Sequence, residues 1–167
     1  MKTLILSFFL SFSMLIGFGQ EKTKQQIKEE QKLAKQKKVE ALVDSKEYEF
    51  EGDMAYPQRG RSIDLTTNSN YLQFKKDSIH SEMPYFGRAY AVPYGGGGGL
   101  DFKGPIKDYS IKKNKKNFTI KATVRDNTDS YQIILTVFFD GGASLTINSN
   151  NRDSINYSGD IKELDKK

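Results

Sequence analysis

The feature that most constrains this fold is the alternation of apolar and polar residues through the second half of the chain. Residues 118–125 read FTIKATVR and residues 131–139 read YQIILTVFF, so apolar side chains recur at every second position. That period is typical of a β-strand with one buried face. Residues 126–130 (DNTDS) and the pair Gly141 and Gly142 separate the alternating runs and favour tight hairpins. The pattern therefore predicts an antiparallel sheet.

The run at residues 131–139 is also apolar on its second face, at Ile134 and Phe138. A strand that is apolar on both faces is usually covered on both faces. We therefore expect this strand to be central, with the N-terminal helix as the cover of its second face.

Residues 21–46 contain no Gly or Pro and are rich in Lys, Gln and Glu, which are good helix formers. Apolar residues concentrate between Val39 and Val43, so we expect the C-terminal half of this helix to dock and its N-terminal half to be solvated. We assign residues 20–46 to a helix or spacer and residues 47–167 to a β domain.

Shorter alternating runs at residues 47–56, 71–75, 78–83 and 87–92 predict further strands. The predicted fold is mainly β (α+β). An N-terminal helix is followed by a strongly curled antiparallel sheet or a partly open β-barrel of about eight to ten strands.

The first nineteen residues predict export. Lys2 precedes an apolar run over residues 4–18 that ends beside Gly19, which is typical of a signal peptide and too short for a membrane anchor. The chain has no cysteine, so it offers neither a disulfide nor the cysteine to which a bacterial lipoprotein attaches its lipid. We expect a protein of the periplasm or outer cell surface, with no transmembrane segment once residues 1–19 are removed.

The net charge of +5 is weakly basic and does not argue for a nucleic-acid partner. It is compatible with a lipid or glycan partner, or simply with solubility. A lysine cluster at residues 112–117 (KKNKKN) could be an anion-binding edge. We favour a charged hairpin tip that keeps the sheet from pairing with other chains.

Few residues suggest catalysis. His80 is the only histidine, and Asp77 and Ser78 close to it on a strand cannot complete a three-residue relay without a sharp bend. With one histidine and no cysteine, a zinc site is not expected, and no cofactor is indicated. Asp101 and Asp140 lie next to glycine runs, so a carboxylate-based hydrolase stays open as a third hypothesis.

A run of five glycines lies within residues 93–102 (PYGGGGGLDF). It is not a phosphate-binding loop, because no Gly-Lys-Ser/Thr and no helix follow it. We predict a flexible loop that is either a packed corner or a lid, formed by Gly95, Gly96, Gly97, Gly98 and Gly99.

The segment at residues 84–94 (PYFGRAYAVPY) is dense in aromatic residues around one arginine. Such a set can form a wall that binds a sugar or lipid, with the arginine holding an anionic head group, or it can belong to the core. The candidate ligand-binding residues are Tyr85, Phe86, Arg88, Tyr90, Tyr94 and Phe102.

Two stretches carry a resemblance to a known family: the aromatic and glycine-rich segment Tyr85 to Gly99, and the closing pattern Asn150 to Ile161. With them, residues 38–161 resemble the DUF4251 family, a domain of unknown function in exported Bacteroidetes proteins. The resemblance implies export but supplies no activity and no catalytic residue. Members often carry a lipoprotein signal, and this chain departs from them by lacking the cysteine.

The leading hypothesis is a non-enzymatic binding module that holds an apolar or amphipathic ligand in the concave face of the sheet. The alternative is an envelope scaffold or protein-interaction domain with a filled core and no small-molecule ligand.

Overall fold

The computed structural model describes residues 23–91, 98–127 and 129–164. In these ranges a helix precedes nine strands: α1 (Lys24–Ser45), β1 (Glu47–Pro57), β2 (Ile63–Asp64), β3 (Tyr71–Lys75), β4 (Ser78–Met83), β5 (Leu100–Lys113), β6 (Asn117–Arg125), β7 (Ser130–Phe138), β8 (Gly142–Ser149) and β9 (Ile155–Glu163). The predicted mainly β fold is confirmed. The predicted signal peptide, residues 1–19, lies outside the described residues.

The strands form one antiparallel sheet that closes on itself. Their order is β2-β1-β3-β4-β5-β6-β7-β8-β9, and β1 also pairs with β9. Eight strands, β1 and β3 to β9, therefore form a closed barrel. The short β2 lies outside this ring and pairs with the last part of β1, at Met54 and Ala55.

The barrel interior is filled by the chain's own side chains. The alternating residues of β6 to β8 point inward and are buried as predicted: Phe118, Ile120, Ala122, Val124, Tyr131, Ile133, Leu135, Val137, Ala143, Leu145 and Ile147. The large rings of Tyr48, Phe50, Phe74 and Tyr157 are fully buried in the same cluster. Within the described residues, the concave face of the sheet is thus packed as core.

The hairpins divide between two ends of the barrel. The helix end carries the start of β1, the end of β9, and the β3–β4, β5–β6 and β7–β8 hairpins. The loop end carries the β1–β2 turn, the described residues 84–91 and 98–99, the β6–β7 turn and the β8–β9 loop.

Helix α1 packs on the helix end. Val39 and Val43 are buried in the barrel core cluster, which confirms the predicted docking of the C-terminal half of the helix. Glu40 forms an ion pair with Lys113 of the β5–β6 hairpin. Lys46 terminates the helix in the left-handed conformation, with φ of 57°.

The outer face of β7 differs from our expectation. Ile134 is only half-buried and Phe138 is 42% exposed, so the second face of this strand is not covered as a central strand would be. The physical reason is that in a closed barrel every strand has an inner face and a solvent face, and Val39 and Val43 of α1 join the core at the helix end instead.

The seam between β1 and β9 contains a close approach of two backbones. The register shifts between Gly52 and Met54 in a β-bulge. The buried Asn70 side chain satisfies the backbone there, because its Oδ1 accepts from the Gly52 amide at 2.8 Å and its Nδ2 donates to the Gly52 carbonyl at 2.9 Å. Opposite Gly52 lies Gly159, where a Cβ would come within 1.9 Å of the Glu51 carbonyl oxygen.

We expect Gly159→Ala to destabilise the protein by about 3 kcal/mol, because the added methyl would collide with backbone that cannot move without opening the seam. Urea unfolding followed by circular dichroism measures this. The matched control is Gly98→Ala, where a Cβ meets no atom within 4 Å. That variant should change stability by less than about 1 kcal/mol. Equal unfolding midpoints for the two variants would contradict the proposed role of the seam.

Candidate ligand-binding site

The aromatic segment crosses the loop end of the barrel and is held by the β8–β9 loop. The Asp153 amide donates to the Arg88 carbonyl at 3.0 Å, and the Tyr90 amide donates to the Asn151 carbonyl at 2.7 Å. Among the described residues of the segment, only one β-bridge forms, between Ala89 and Arg152. The predicted strand at residues 87–92 is therefore wrong for the described residues 87–91, because their partner is an irregular loop and not a strand.

Tyr85 and Tyr157 anchor this segment from below. The Tyr85 hydroxyl lies 2.7 Å from the Arg88 carbonyl and 3.2 Å from the Asp153 carbonyl, and it donates to them. Burial, and then the nearby Asp153 carboxylate, raise the pKa of Tyr85. The Tyr157 hydroxyl donates to the Pro84 carbonyl at 2.8 Å, and burial raises the pKa of Tyr157 strongly. Both phenols therefore remain protonated donors near neutral pH.

Arg152 connects the segment to the glycine run. Its guanidinium carbon lies 5.1 Å from the centroid of the Tyr85 ring, and its Nη1 donates to the Gly99 carbonyl at 2.7 Å. Gly98 and Gly99 do not have positive φ, so neither requires glycine for backbone conformation. Arg152 was not among the predicted site residues, although it lies in the closing pattern that carries the family resemblance.

The structure brings together only part of the predicted site. Phe86 and Arg88 line one cleft, and Tyr90 stands beside it with 70% of its surface exposed. Phe102 lies apart from that cleft, because it is buried in the core and stacks on Tyr131 at 3.9 Å between ring centroids. Tyr94, Gly95, Gly96 and Gly97 lie outside the described residues.

The cleft beside this segment has a volume of about 390 Å³ and is named here the arginine cleft. Its apolar lining comes from Pro57, Ile63 and Phe86, and its charged lining is Arg59, Arg61, Arg88 and Asp153. Gly60, at a φ of 105°, allows the sharp β1–β2 turn that carries the first two arginines. Arg59 and Arg61, which lie in the short pattern Arg-Gly-Arg, were not predicted from the sequence.

The charges of the arginine cleft are unbalanced. Within residues 23–91, 98–127 and 129–164, none of Arg59, Arg61 and Arg88 forms an ion pair with a carboxylate. The one acid, Asp153, accepts a hydrogen bond from the Tyr90 hydroxyl, and this bond is the main cause of the raised pKa of Tyr90. The cleft therefore presents three arginines against one carboxylate, beside an apolar wall.

The residues that could have supported catalysis do not converge. Asp101 is the second residue of β5, at the loop end, whereas Asp140 lies in the β7–β8 hairpin at the helix end and accepts from the Gly142 amide at 3.2 Å. His80 Nε2 lies 3.6 Å from Glu82 on the outer face of β4, and the structure does not join it to Asp77 and Ser78 in a relay.

Asp101 has an acid as its cross-strand neighbour. It pairs with Glu82 in the β4–β5 register. Burial first, and then repulsion from Glu82, raise the pKa of Asp101, while Arg152 acts in the opposite direction. The two carboxylates lie side by side on an outer barrel face, not across a cleft.

Metal-binding clusters and membrane-spanning helices are both absent from the described part of the chain. It contains no group of three His, Cys, Asp or Glu residues placed to hold a metal ion. It also contains no helix that is long and apolar enough to span a membrane.

Comparison with known proteins gives a family and a fold. The family model described as "Domain of unknown function (DUF4251)" matches residues 30–161, a range that contains every lining residue of the arginine cleft. Among solved structures, the chain is similar to the crystal structure of a DUF4251 family protein from Bacteroides eggerthii DSM 20697. That match has 22% identity and a TM-score of 0.63, and it covers 78% of this chain and 88% of the other. No curated protein matches the chain.

We expect Asp101→Asn to raise the melting temperature at neutral pH. The raised pKa means that folding favours the protonated carboxyl, so the stability from this group is present below about pH 4 and lost as the pH rises through its folded pKa. The gain from the variant should therefore vanish in acid. Thermal melts at a series of pH values measure it.

Asp64→Asn is the matched control with the opposite sign. Hydrogen bonds from the side chain and then the amide of Thr66 lower the pKa of Asp64, so its contribution is present at neutral pH and lost as the pH falls. This variant should lower the melting temperature at neutral pH and approach the parent in acid. If both variants changed the melting temperature in the same direction at neutral pH, the repulsion between Asp101 and Glu82 would not be the cause of the change.

Proposed function

This chain belongs to the DUF4251 family, and we propose that it is an exported, non-enzymatic module that binds an anionic, amphipathic small molecule in the arginine cleft. The observation that carries the proposal is the meeting of Arg59, Arg61 and Arg88 around an apolar wall, with no carboxylate partner among the described residues. The apolar run over residues 4–18 supports export.

The side chains of the cleft define the chemistry of its ligand. A guanidinium is planar and offers paired donors that match carboxylate, sulfonate or phosphate oxygens. Phe86, Pro57 and Ile63 offer an apolar contact for the body of the same molecule. At about 390 Å³ the cleft lies in the lower part of the range for small-molecule sites. A short-chain or aromatic anion fits this combination of size and charge.

The backbone around the cleft is organised before any ligand arrives. The carbonyl of Arg88 accepts from both the Asp153 amide and the Tyr85 hydroxyl, so the backbone at Arg88 is held by two hydrogen bonds. Because the backbone is already held, ligand binding orders mainly the arginine side chains and not the segment that carries them.

Several observations support binding over catalysis. The cleft contains one carboxylate, Asp153, and that group is hydrogen-bonded to Tyr90. His80 is placed on the outer face of β4 and is not among the residues that line the cleft. General acid–base work on a bound anion would need a second titratable group within hydrogen-bond reach of it.

A second candidate function is an envelope scaffold that binds no small molecule. The specific observation in its favour is the filled interior, in which Tyr48, Phe50, Phe74 and Tyr157 occupy the space where a ligand-carrying barrel keeps its cavity. In that case the arginine cleft would be part of a protein contact surface.

We expect the protein to bind anilinonaphthalenesulfonate more tightly than phenylnaphthylamine, a similar molecule without the sulfonate. The double variant Arg59→Ala/Arg88→Ala should weaken binding of the sulfonate at least about tenfold, since it removes two charge-assisted contacts. It should change binding of the neutral probe little. Fluorescence titration at low and high salt measures both.

Arg125→Ala is the control, because this arginine lies at the same end of the barrel and outside the arginine cleft. It should bind both probes like the parent protein. An equal loss of sulfonate binding in Arg125→Ala and in the double variant would show that binding depends on net charge alone. No binding of either probe by the parent would favour the scaffold.

A further inference from the structure

A second basic surface lies at the helix end of the barrel, away from the arginine cleft. Three elements converge there around a groove of about 410 Å³: α1 supplies Lys32 and Lys35, the β5–β6 hairpin supplies Lys115 and Lys116, and the β7–β8 hairpin supplies Phe138 and Phe139. These six residues are named here the lysine–phenylalanine patch.

The positive charges of the patch lysines are not paired within the described residues. None of the four forms an ion pair with a carboxylate in the described part of the chain. The neighbouring lysines behave differently, since Lys113 pairs with Glu40 and Lys38 Nζ lies 3.5 Å from Glu163 Oε1. The one acid of the groove, Asp140, accepts a hydrogen bond from the Gly142 amide within its own turn.

The two phenylalanines have different roles. Phe139 packs against the core, and its ring meets that of Phe118 edge to face at 5.4 Å. Phe138 points to the outer face and is 42% exposed. An exposed phenylalanine beside a hairpin tip contributes little to folding, so the packing of the barrel does not account for its place among the lysines.

We propose that the lysine–phenylalanine patch docks the protein on a bilayer that contains anionic phospholipid. Phe138 enters the boundary between head groups and acyl chains, and the four lysines contact lipid phosphates. Flexible lysine stems can lie along an apolar surface while their ammonium groups reach the head groups. Basic residues attract anionic lipid most when an aromatic group beside them can also leave water.

The charge pattern favours a lipid surface over an acidic protein. The four ammonium groups are point charges on long stems, supplied by a helix and a hairpin, and they surround an apolar side chain without a paired hydrogen-bonding geometry. A surface of mobile phosphates tolerates such loose placement, whereas a folded acidic partner would have to match it. Docking by this end would leave the arginine cleft, at the loop end, facing away from the bilayer.

The first experiment measures how the full chain sediments with vesicles of mixed phosphatidylcholine and phosphatidylglycerol and with vesicles of phosphatidylcholine alone. The readout is the ratio of the two partition coefficients, to which the apolar run at residues 4–18 contributes little. The double variant Lys115→Ala/Lys116→Ala should reduce this ratio about 25-fold, because each lysine contributes a factor of about five. The matched control is Lys103→Ala/Lys107→Ala, two exposed lysines of β5 outside the patch, which should leave most of the ratio intact.

The second experiment places a reporter at the point of contact. The chain contains no tryptophan, so Phe138→Trp introduces a single one. Its emission should shift to the blue with the anionic vesicles and be quenched by brominated lipid, and both changes should be lost at high salt.

Three outcomes would overturn the proposal. One is an equal partition of the parent protein into neutral and anionic vesicles. Another is an equal fall of the partition ratio in the two double-lysine variants, which would show that binding to anionic vesicles depends on net charge alone. The third is unchanged tryptophan emission from the Phe138→Trp variant together with binding of polyglutamate, which would assign the patch to an acidic protein.

Discussion

The pairing of the first barrel strand with the last is the interaction on which the rest of the structure depends. Without the β1–β9 ladder the eight strands would be an open sheet, and Tyr48, Phe50 and Tyr157 would not face the opposite wall. The ladder needs an unusually close approach of two backbones at Gly52 and Gly159. Asn70 compensates for the bulge that this approach imposes, since its side chain bonds both backbone groups of Gly52.

Closure also separates the two candidate functional surfaces. Every hairpin of a closed meander points to one end or the other, so the chain alternates between the helix end and the loop end. The helix end collects lysines around an exposed ring, and the loop end collects arginines around a cleft. The interior supplies the rigidity that holds both surfaces, and both candidate surfaces lie on loops and hairpin tips outside it.

The sequence predicts the parts of this fold that depend on local periodicity. The alternation in residues 118–125 and the apolar residues Val39 and Val43 identify strand faces and the docked part of the helix, because burial repeats with the local period. The β1–β9 pairing has no such signal, since it joins residues that only the closed fold brings together.

The site is predicted only in part for the same reason. Phe86 and Arg88 are neighbours in the chain, whereas Arg59 and Arg61 reach them through the tertiary fold. Phe102 shows a second limit of the sequence. The alternation predicts that this aromatic residue is buried, but it does not tell whether the residue packs in the core or lines a ligand site. The two stretches that carry the family resemblance are brought into contact, as Arg152 reaches both Tyr85 and Gly99.

The closing seam has a consequence for how the chain reaches its native state. Glu51 and Lys162, which form an ion pair across it, are 111 residues apart in the chain. Hairpins from β3 to β9 can form between neighbours in sequence, but one edge of β1 stays unpaired until the last strand is available. A topology that ends on so distant a contact folds slowly, and its open intermediates expose two strand edges that can pair with other chains. Shortening the chain within β9 would therefore trap such an intermediate instead of giving a smaller barrel.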